Sequence, residues 1–221
     1  MANMNSISIA SYNCKHFKDA GLKYYEDILK KANIIFLQEH CLYEKQFSNF
    51  YAVGDIGFIG VSAMDDSVLR LGRPFGGCAI LWKNELNCSF KKIECYTSRI
   101  CAAICTLANG LNILVINTYL PCDDRYQSEN YYELADILGK LICLIQDHRY
   151  DAVIVGGDLN CDFTRRTPHV SAVREFIAAA DLSLCTSHSI AEVDYTFECK
   201  ASGHFSLIDH FIGSKNLYNN L

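Results

Sequence analysis

The sequence predicts an α/β protein built as a four-layer α/β-β/α sandwich, two packed mixed β-sheets with helices on the outside. Three observations lead there. Short apolar, β-branched runs of strand length are interspersed with amphipathic helical stretches. Three of the strand runs follow one another with no helical pattern between them, so they pair antiparallel and a purely parallel, doubly wound sheet does not fit. Several runs also end in acidic or carboxamide residues, which places a shared site along one end of the sheets.

The elements read in order. "SISIASYN" (Ser6–Asn13) alternates and is β-branched, a strand. "DAGLKYYEDILKKA" (Asp19–Ala32) carries Leu22, Tyr25, Ile28 and Leu29 at helical spacing. "NIIFLQEH" (Asn33–His40) is a buried strand that delivers Gln38 and Glu39 at its end. "CAILW" (Cys78–Trp82), "RICAAICTL" (Arg99–Leu107) and "NILVINTYLP" (Asn112–Pro121) are the three successive strands. "ENYYELADILGKLICLIQD" (Glu129–Asp147) puts Tyr131, Leu134, Ile137, Leu138, Leu141 and Ile145 on one helical face. A strand, "AVIVGG" (Ala152–Gly157), a helix, "VSAVREFIAAA" (Val170–Ala180), and a last strand, "SLIDHFIGS" (Ser206–Ser214), complete the set.

With 221 residues, half of them hydrophobic, and no Pro-, Ser- or Gly-rich linker, the chain is expected to form one domain, residues 1–221. No apolar stretch approaches the roughly 20 residues that span a bilayer, and the N-terminus has no basic leader. An intracellular protein is expected, nuclear or cytoplasmic, with no membrane partner. Twelve cysteines without a Cys-x-x-Cys pair, mostly inside apolar runs, read as reduced, buried thiols. A net charge of −5 argues against charge-driven binding to nucleic acid over a broad surface. Contact with nucleic acid would be local and cation-assisted.

The segment "VIVGGDLNCDF" (Val153–Phe163) concentrates the chemistry. Gly156 and Gly157 let the chain turn sharply and leave room for close approach. Asp158 and Asn160 then share a direction, since an extended chain has a side-chain period of two. An Asx-type turn closing the strand explains the pair equally well on its own. Other strands repeat the pattern, however: Asn13, Glu39, Asn117-Thr118-Tyr119 and Asp209 all lie at or near a strand end. Polar groups gathered at one end of buried strands cost free energy unless they share a site. Glu39, Asp158 and Asp209 crowd like charges, which a hard divalent cation would relieve: Mg²⁺, with Mn²⁺ as the alternative. That set suits phosphoryl transfer to water, with a carboxylate activating the water and neutral donors holding the phosphate.

Taken together and in order, "SYN", "LQEH", "NTYLP", "GGDLN", "DYTF" and "IDH" resemble the endonuclease/exonuclease/phosphatase superfamily, which has the deoxyribonuclease-like fold. The likeness is greatest to the apurinic-type endonuclease domain of LINE-like (non-LTR) retrotransposons, and it runs from Ser8 to Ser214. "GRPFGGCAILWK" (Gly72–Lys83) and "IDHFIGSK" (Ile208–Lys215) are similar to the retroelement branch. The resemblance implies Glu39 as the metal-binding carboxylate with Asn13 beside it, and Tyr119 on the scissile phosphate. It implies Asp158 activating water, Asn160 positioning water and phosphate, Thr196 near the DNA, and Asp209 orienting a catalytic histidine. Arg165 and Arg166 would hold a DNA backbone or form a solvated loop pair.

Two departures follow. Repair-type members carry an acid two places after the first-strand Asn, where this chain has Lys15. Nicking of ordinary DNA is therefore expected. The family's final Ser-Asp-His motif is absent after "GSKNLYNNL", as is its last strand, and His210 should face away from Asp209. The resemblance thus implies a truncated copy that is a weak or inactive nuclease. The implied function is Mg²⁺-dependent strand nicking of DNA by a monomer, with a reverse transcriptase domain downstream in the parent polypeptide. The alternatives are a phosphatase or phosphodiesterase of the same fold, or an inactive relic. His16 and His40 are read as rim residues, Lys91–Lys92 as an exposed strand edge, and Tyr24, Tyr25, Tyr131 and Tyr132 as helix packing.

Overall fold

The computed structural model describes residues 6–67, 72–123, 128–185, 194–200 and 203–218. One mixed sheet has the order β1-β2-β4-β3, formed by β1 (Ile9–Asn13), β2 (Ile34–Gln38), β3 (Ile56–Val61) and β4 (Cys78–Lys83). Strands β1 and β2 are parallel and the others antiparallel. The second sheet has the order β5-β6-β7-β8-β12-β9. Its strands are β5 (Cys88–Ile93), β6 (Ile100–Leu107), β7 (Asn112–Tyr119), β8 (Ala152–Asp158), β9 (Leu182–Leu184) and β12 (Asp209–Ser214). Here only β7 and β8 run parallel. A hairpin of β10 (Phe197–Cys199) and β11 (His204–Ser206) stands apart from both sheets.

Each parallel pair is joined through a helix, as a parallel connection requires: α1 (Leu22–Lys31) between β1 and β2, and α2 (Ser128–Asp147) between β7 and β8. Helix α3 (Pro168–Ala179) follows β8, capped by Thr167, whose hydroxyl accepts from the N–H of Val170 at 3.2 Å. A short α4 (Lys215–Tyr218) follows β12.

Period-two alternation sorts the side chains into three cores. Ile34 and Phe36 of β2 and Cys78 and Ile80 of β4 meet Cys101, Ala103, Cys105 and Val115 between the sheets. Ile35, Leu37, Ala79 and Leu81 face outward, against Tyr25 and Leu29 of α1 and Phe50. Leu114, Ile116, Val153 and Val155 cover the other outer face, against Leu134, Ile137 and Leu141 of α2 and Val173 and Phe176 of α3. The expected sandwich of two mixed sheets with outer helices is therefore present. The side chains that β6 contributes to the core between the sheets are small: Cys101, Ala103 and Cys105.

Some elements were not anticipated. They are β3, β5, β9, the β10–β11 hairpin, the short α4 and a 3₁₀ stretch at Glu44–Val53. The run expected as one strand from Ser206 divides: Ser206 pairs with Phe197 in the hairpin, and β12 begins at Asp209. Lys91 and Lys92 lie exposed on the edge strand β5, as expected. Of the four helix tyrosines only Tyr25 is buried; Tyr24, Tyr131 and Tyr132 are exposed. Cys122 and Cys143 are also exposed, against the expectation of burial. Among the described residues no helix is long and apolar enough to cross a membrane.

Candidate active site

The two glycines that end β8 have separate reasons. A Cβ on Gly156 would stand 2.3 Å from the Phe211 ring of β12, so the absence of a side chain lets that ring cross the strand. Gly157 has φ +136°, and a Cβ there would meet the Thr118 carbonyl oxygen at 2.0 Å. The close approach sets β8 against β7 in a register that pairs Tyr119 with Asp158. On the other side Asp158 pairs with Asp209 of β12. In the first sheet Asn13 pairs with Gln38, one residue before Glu39. These registers bring the polar strand ends of both sheets to one edge of the sandwich.

There the Asn13 carboxamide bridges the sheets. Its Nδ2 donates to Glu39 Oε1 at 2.6 Å and to Asp158 Oδ2 at 2.9 Å. Its Oδ1 accepts the Lys15 N–H at 3.1 Å. Tyr119 hydrogen-bonds to Glu39; burial first, and then the Glu39 charge, push its phenol above the ordinary tyrosine range. Asp158 is buried, and desolvation raises its carboxyl pKa, with the Glu39 charge adding to the rise. The bonds from Asn13 and from the Asn160 N–H to Oδ1 (3.0 Å) oppose it. Asn160 takes a left-handed turn (φ 47°) and donates its Nδ2 to Leu120 O at 2.8 Å. Glu39 also sits in the left-handed region (φ 53°). A non-glycine residue held there is strained, and such strain clusters at functional sites.

Asp209 stands beside this cluster. Burial and the neighbouring Asp158 charge push its carboxyl up to about 7, against opposing contributions from Thr196 and Lys15. Thr196 is committed to it: Oγ1 accepts the N–H groups of Ile208 (3.1 Å) and Asp209 (3.2 Å), and the side chain bonds the carboxyl. Lys15, flagged in the sequence only as a departure, is the cation of the site. It lowers both Asp158 and Asp209, and its ammonium lies 5.3 Å from the Phe197 ring centroid of the hairpin.

Other polar strand-end residues are braces. Asn117 and Gln38 are fully buried between the sheets. Asn117 donates to Leu37 O (2.7 Å) and Ala79 O (2.8 Å) and accepts from Gln38 Nε2 (2.7 Å). His40 is not a rim residue. It is fully buried, its Nδ1 accepts the Leu42 N–H (3.0 Å), and its Nε2 bonds Val61 O (3.0 Å). Desolvation holds its imidazole down at about 4. His210 faces away from Asp209, as alternation requires, and bonds Cys161 O (2.8 Å) and Leu207 O (3.0 Å). Among the described residues no histidine bonds Asp209. Arg165 turns away from the carboxylates to Asp162 (3.3 Å), Ser206 (2.7 Å) and His204 (2.5 Å). Arg166 is exposed on the same loop.

The donor set fits a hard divalent cation in a limited way. Among the described residues no three or more His, Cys, Asp or Glu side chains are grouped to hold a metal ion. The carboxylate of Glu39 at the sheet edge matches the habit of Mg²⁺, which takes one or two protein carboxylates and completes its shell with water and phosphate oxygens. Asn13 presents its nitrogen to the carboxylates, so ligation through its oxygen requires the carboxamide to turn over.

The fold has solved counterparts. The AP endonuclease LMAP from Leishmania major superposes with a TM-score of 0.69 at 13% identity, over 96% of this chain and 80% of that one. The endonuclease domain of TRAS1, a telomere-specific non-LTR retrotransposon, gives 0.68 at 16% identity, over 96% and 86%. A mannosyl-6-phosphatase from Bacteroides thetaiotaomicron gives 0.64 at 18% identity, over 95% and 86%. No similar sequence was found among curated proteins. The family model described as the Endonuclease/Exonuclease/phosphatase family matches residues 10–219, which include every residue of the carboxylate cluster. The chain thus belongs to the endonuclease/exonuclease/phosphatase family, whose members hydrolyse phosphate esters.

Proposed function

We propose that this chain is a Mg²⁺-dependent DNA endonuclease domain of the retrotransposon type, cutting a phosphodiester bond with water as nucleophile. The observation that carries this reading is the Asn13 carboxamide bonded at once to Glu39 and Asp158, with Tyr119 on Glu39. It assembles an acid for a cation, an acid for a water and a phenol for a phosphate at one point. The likeness to the retrotransposon domain supports the class of substrate. A bound divalent cation would polarise a phosphate oxygen and neutralise charge developing there.

The residues do the rest. Burial raises the basicity of Asp158, which suits it to take a proton from water, and the Asn13 bond fixes its orientation. Asn160, held by Leu120 O, positions the water. Tyr119 exchanges its bond to Glu39 for one to a phosphate oxygen. Asp209, pushed up to about 7 by burial and the Asp158 charge, shares its population between acid and carboxylate near neutral pH, and Thr196 holds it beside Asp158.

Two measurements test the reading. Mg²⁺ should raise the melting temperature of the wild-type chain by mass action and have little effect on Glu39→Ala. Whatever nicking of supercoiled plasmid the wild type shows should fall by roughly 10²–10⁴ in Asp158→Asn, the usual loss for a positioned proton-transfer group. Equal Mg²⁺ responses, or equal nicking, would overturn it. Faster turnover of a phosphomonoester than of plasmid would favour the phosphatase alternative.

A further inference from the structure

The hydroxyl of Tyr119 bonds Glu39, while its backbone and ring are held by Arg99. The chain enters β6 at Arg99, and the β6–β7 ladder ends where Arg99 lies opposite Tyr119. The Arg99 carbonyl accepts the Tyr119 N–H at 2.9 Å and the Thr118 hydroxyl at 3.2 Å. Its guanidinium folds back over the same tyrosine. Cζ stands 5.0 Å from the ring centroid, within the range of a cation–π contact. Nη1 donates to Tyr119 O at 3.4 Å, a long and weak bond. One residue thus meets Tyr119 at its N–H, its carbonyl and its ring face. The guanidinium is itself fixed from α2. Glu133, in the second turn of that helix, accepts from Arg99 Nε at 2.6 Å and from Nη2 at 3.0 Å. Two bonds to one carboxylate set the plane of the fork as well as its position, which an ammonium cannot do. The Arg99 side chain is only 24% exposed, so water screens the pair incompletely.

We propose that Arg99, locked by Glu133, is the positioning residue for the Tyr119 phenol. The proposal rests on the nuclease reading for the reaction that the phenol serves, and on its own geometry for the clamp. With the ring held at its face and at its backbone, the hydroxyl passes from Glu39 to a phosphate oxygen by turning about its own C–O bond. The ring need not move. Preorganisation of this kind acts on the chemical step, and displacing a positioned group by about 1 Å costs on the order of 10²-fold in rate. Arg99 acts through Tyr119 and not on the reacting atoms.

The test uses the full 221-residue chain with ring-labelled tyrosine, the Tyr119 NMR signals being identified by their loss in Tyr119→Phe. Glu133→Gln removes the charge that holds the fork. It should shift the Tyr119 ring signals and leave those of Tyr25, in α1, in place. Arg99→Lys keeps the charge and loses the fork, and should do the same. The pair is partly exposed, so both variants should melt within about 4 °C of wild type. In plasmid nicking with Mg²⁺, Glu133→Gln should lower kcat roughly 10–10²-fold and change KM by less than about twofold. In a Tyr119→Phe background the same substitution should cost less than about twofold, because the phenol it acts through is gone. Tyr119 signals that stay in place in Glu133→Gln overturn the clamp. So does an equal loss of kcat with and without the Tyr119 hydroxyl, which would make the ion pair an anchor of α2 alone. Wild-type behaviour of Arg99→Lys in both assays overturns the role of the fork. A wild type that nicks nothing counts against the nuclease reading only, and the ring signals then decide the clamp.

Discussion

Asp209 and His40 show opposite consequences of burial at the scale of single residues. Asp209 is pushed up to about 7, so the folded chain holds a proton that the unfolded chain releases above about 4. Ionising it opposes folding, and the stability it permits is lost as pH rises from about 4 to 7. In a chelator, Asp209→Asn should therefore melt above wild type at pH 7.5, by the equivalent of roughly 2–4 kcal/mol, with the gap closing toward pH 4. A gap independent of pH would refute the linkage. His40 is depressed to about 4, so its contribution is lost as pH falls from about 6.5 to 4. Its NMR titration should show a neutral imidazole at pH 5.5. Lys15 opposes cation binding by its charge, so Lys15→Glu should enlarge the Mg²⁺-induced rise in melting temperature. A smaller rise would mean that Lys15 does not face the cation.

At the scale of elements, β7 shows how depth separates site from scaffold. Asn117 and Tyr119 share a face of the strand, being two apart. Tyr119 reaches the edge and bonds Glu39, whereas Asn117 is locked between the sheets to Leu37, Ala79 and Gln38. Replacing Asn117 by Leu removes three buried hydrogen bonds at once, to Leu37 O, Ala79 O and Gln38 Nε2, at a cost of about 2–4 kcal/mol in urea unfolding. A loss under 0.5 kcal/mol would show the link to be dispensable. The same residue run, "NTYLP", reads in sequence as three equivalent polar ends. Its alternation was legible; its depth was not, because depth depends on how far the opposite sheet extends over the strand.

At the scale of the molecule, none of the twelve cysteines is joined in a disulfide, and only Cys122 and Cys143 are exposed. Burial pushes Cys14 and Cys161 up to about 12 and Cys41 and Cys95 to about 11, so almost none is thiolate at neutral pH. A thiol reagent should titrate about two groups quickly in the native chain and all twelve in denaturant. Rapid titration of most of them in the native state would contradict the packing between the sheets.

What the sequence determined by itself was the kind of each long element, the mixed character of the sheets and the acidic strand ends. Local periodicity and turn chemistry carry that information: alternation in "SISIASYN", the short apolar run in "NIIFLQEH", helical spacing in Glu129–Asp147, and the double glycine before Asp158. Tertiary structure decided which of those polar groups work together. Asn13 lies 26 residues from Glu39 and 145 from Asp158, yet one amide nitrogen joins all three. It also decided that His40 is core, that Thr196 is committed to Asp209, that Lys15 faces two acids and that Arg99 covers the Tyr119 ring. None of these has a local signal, because each depends on the register and stacking of two sheets, where hydrogen bonds and desolvation act between residues far apart in the chain.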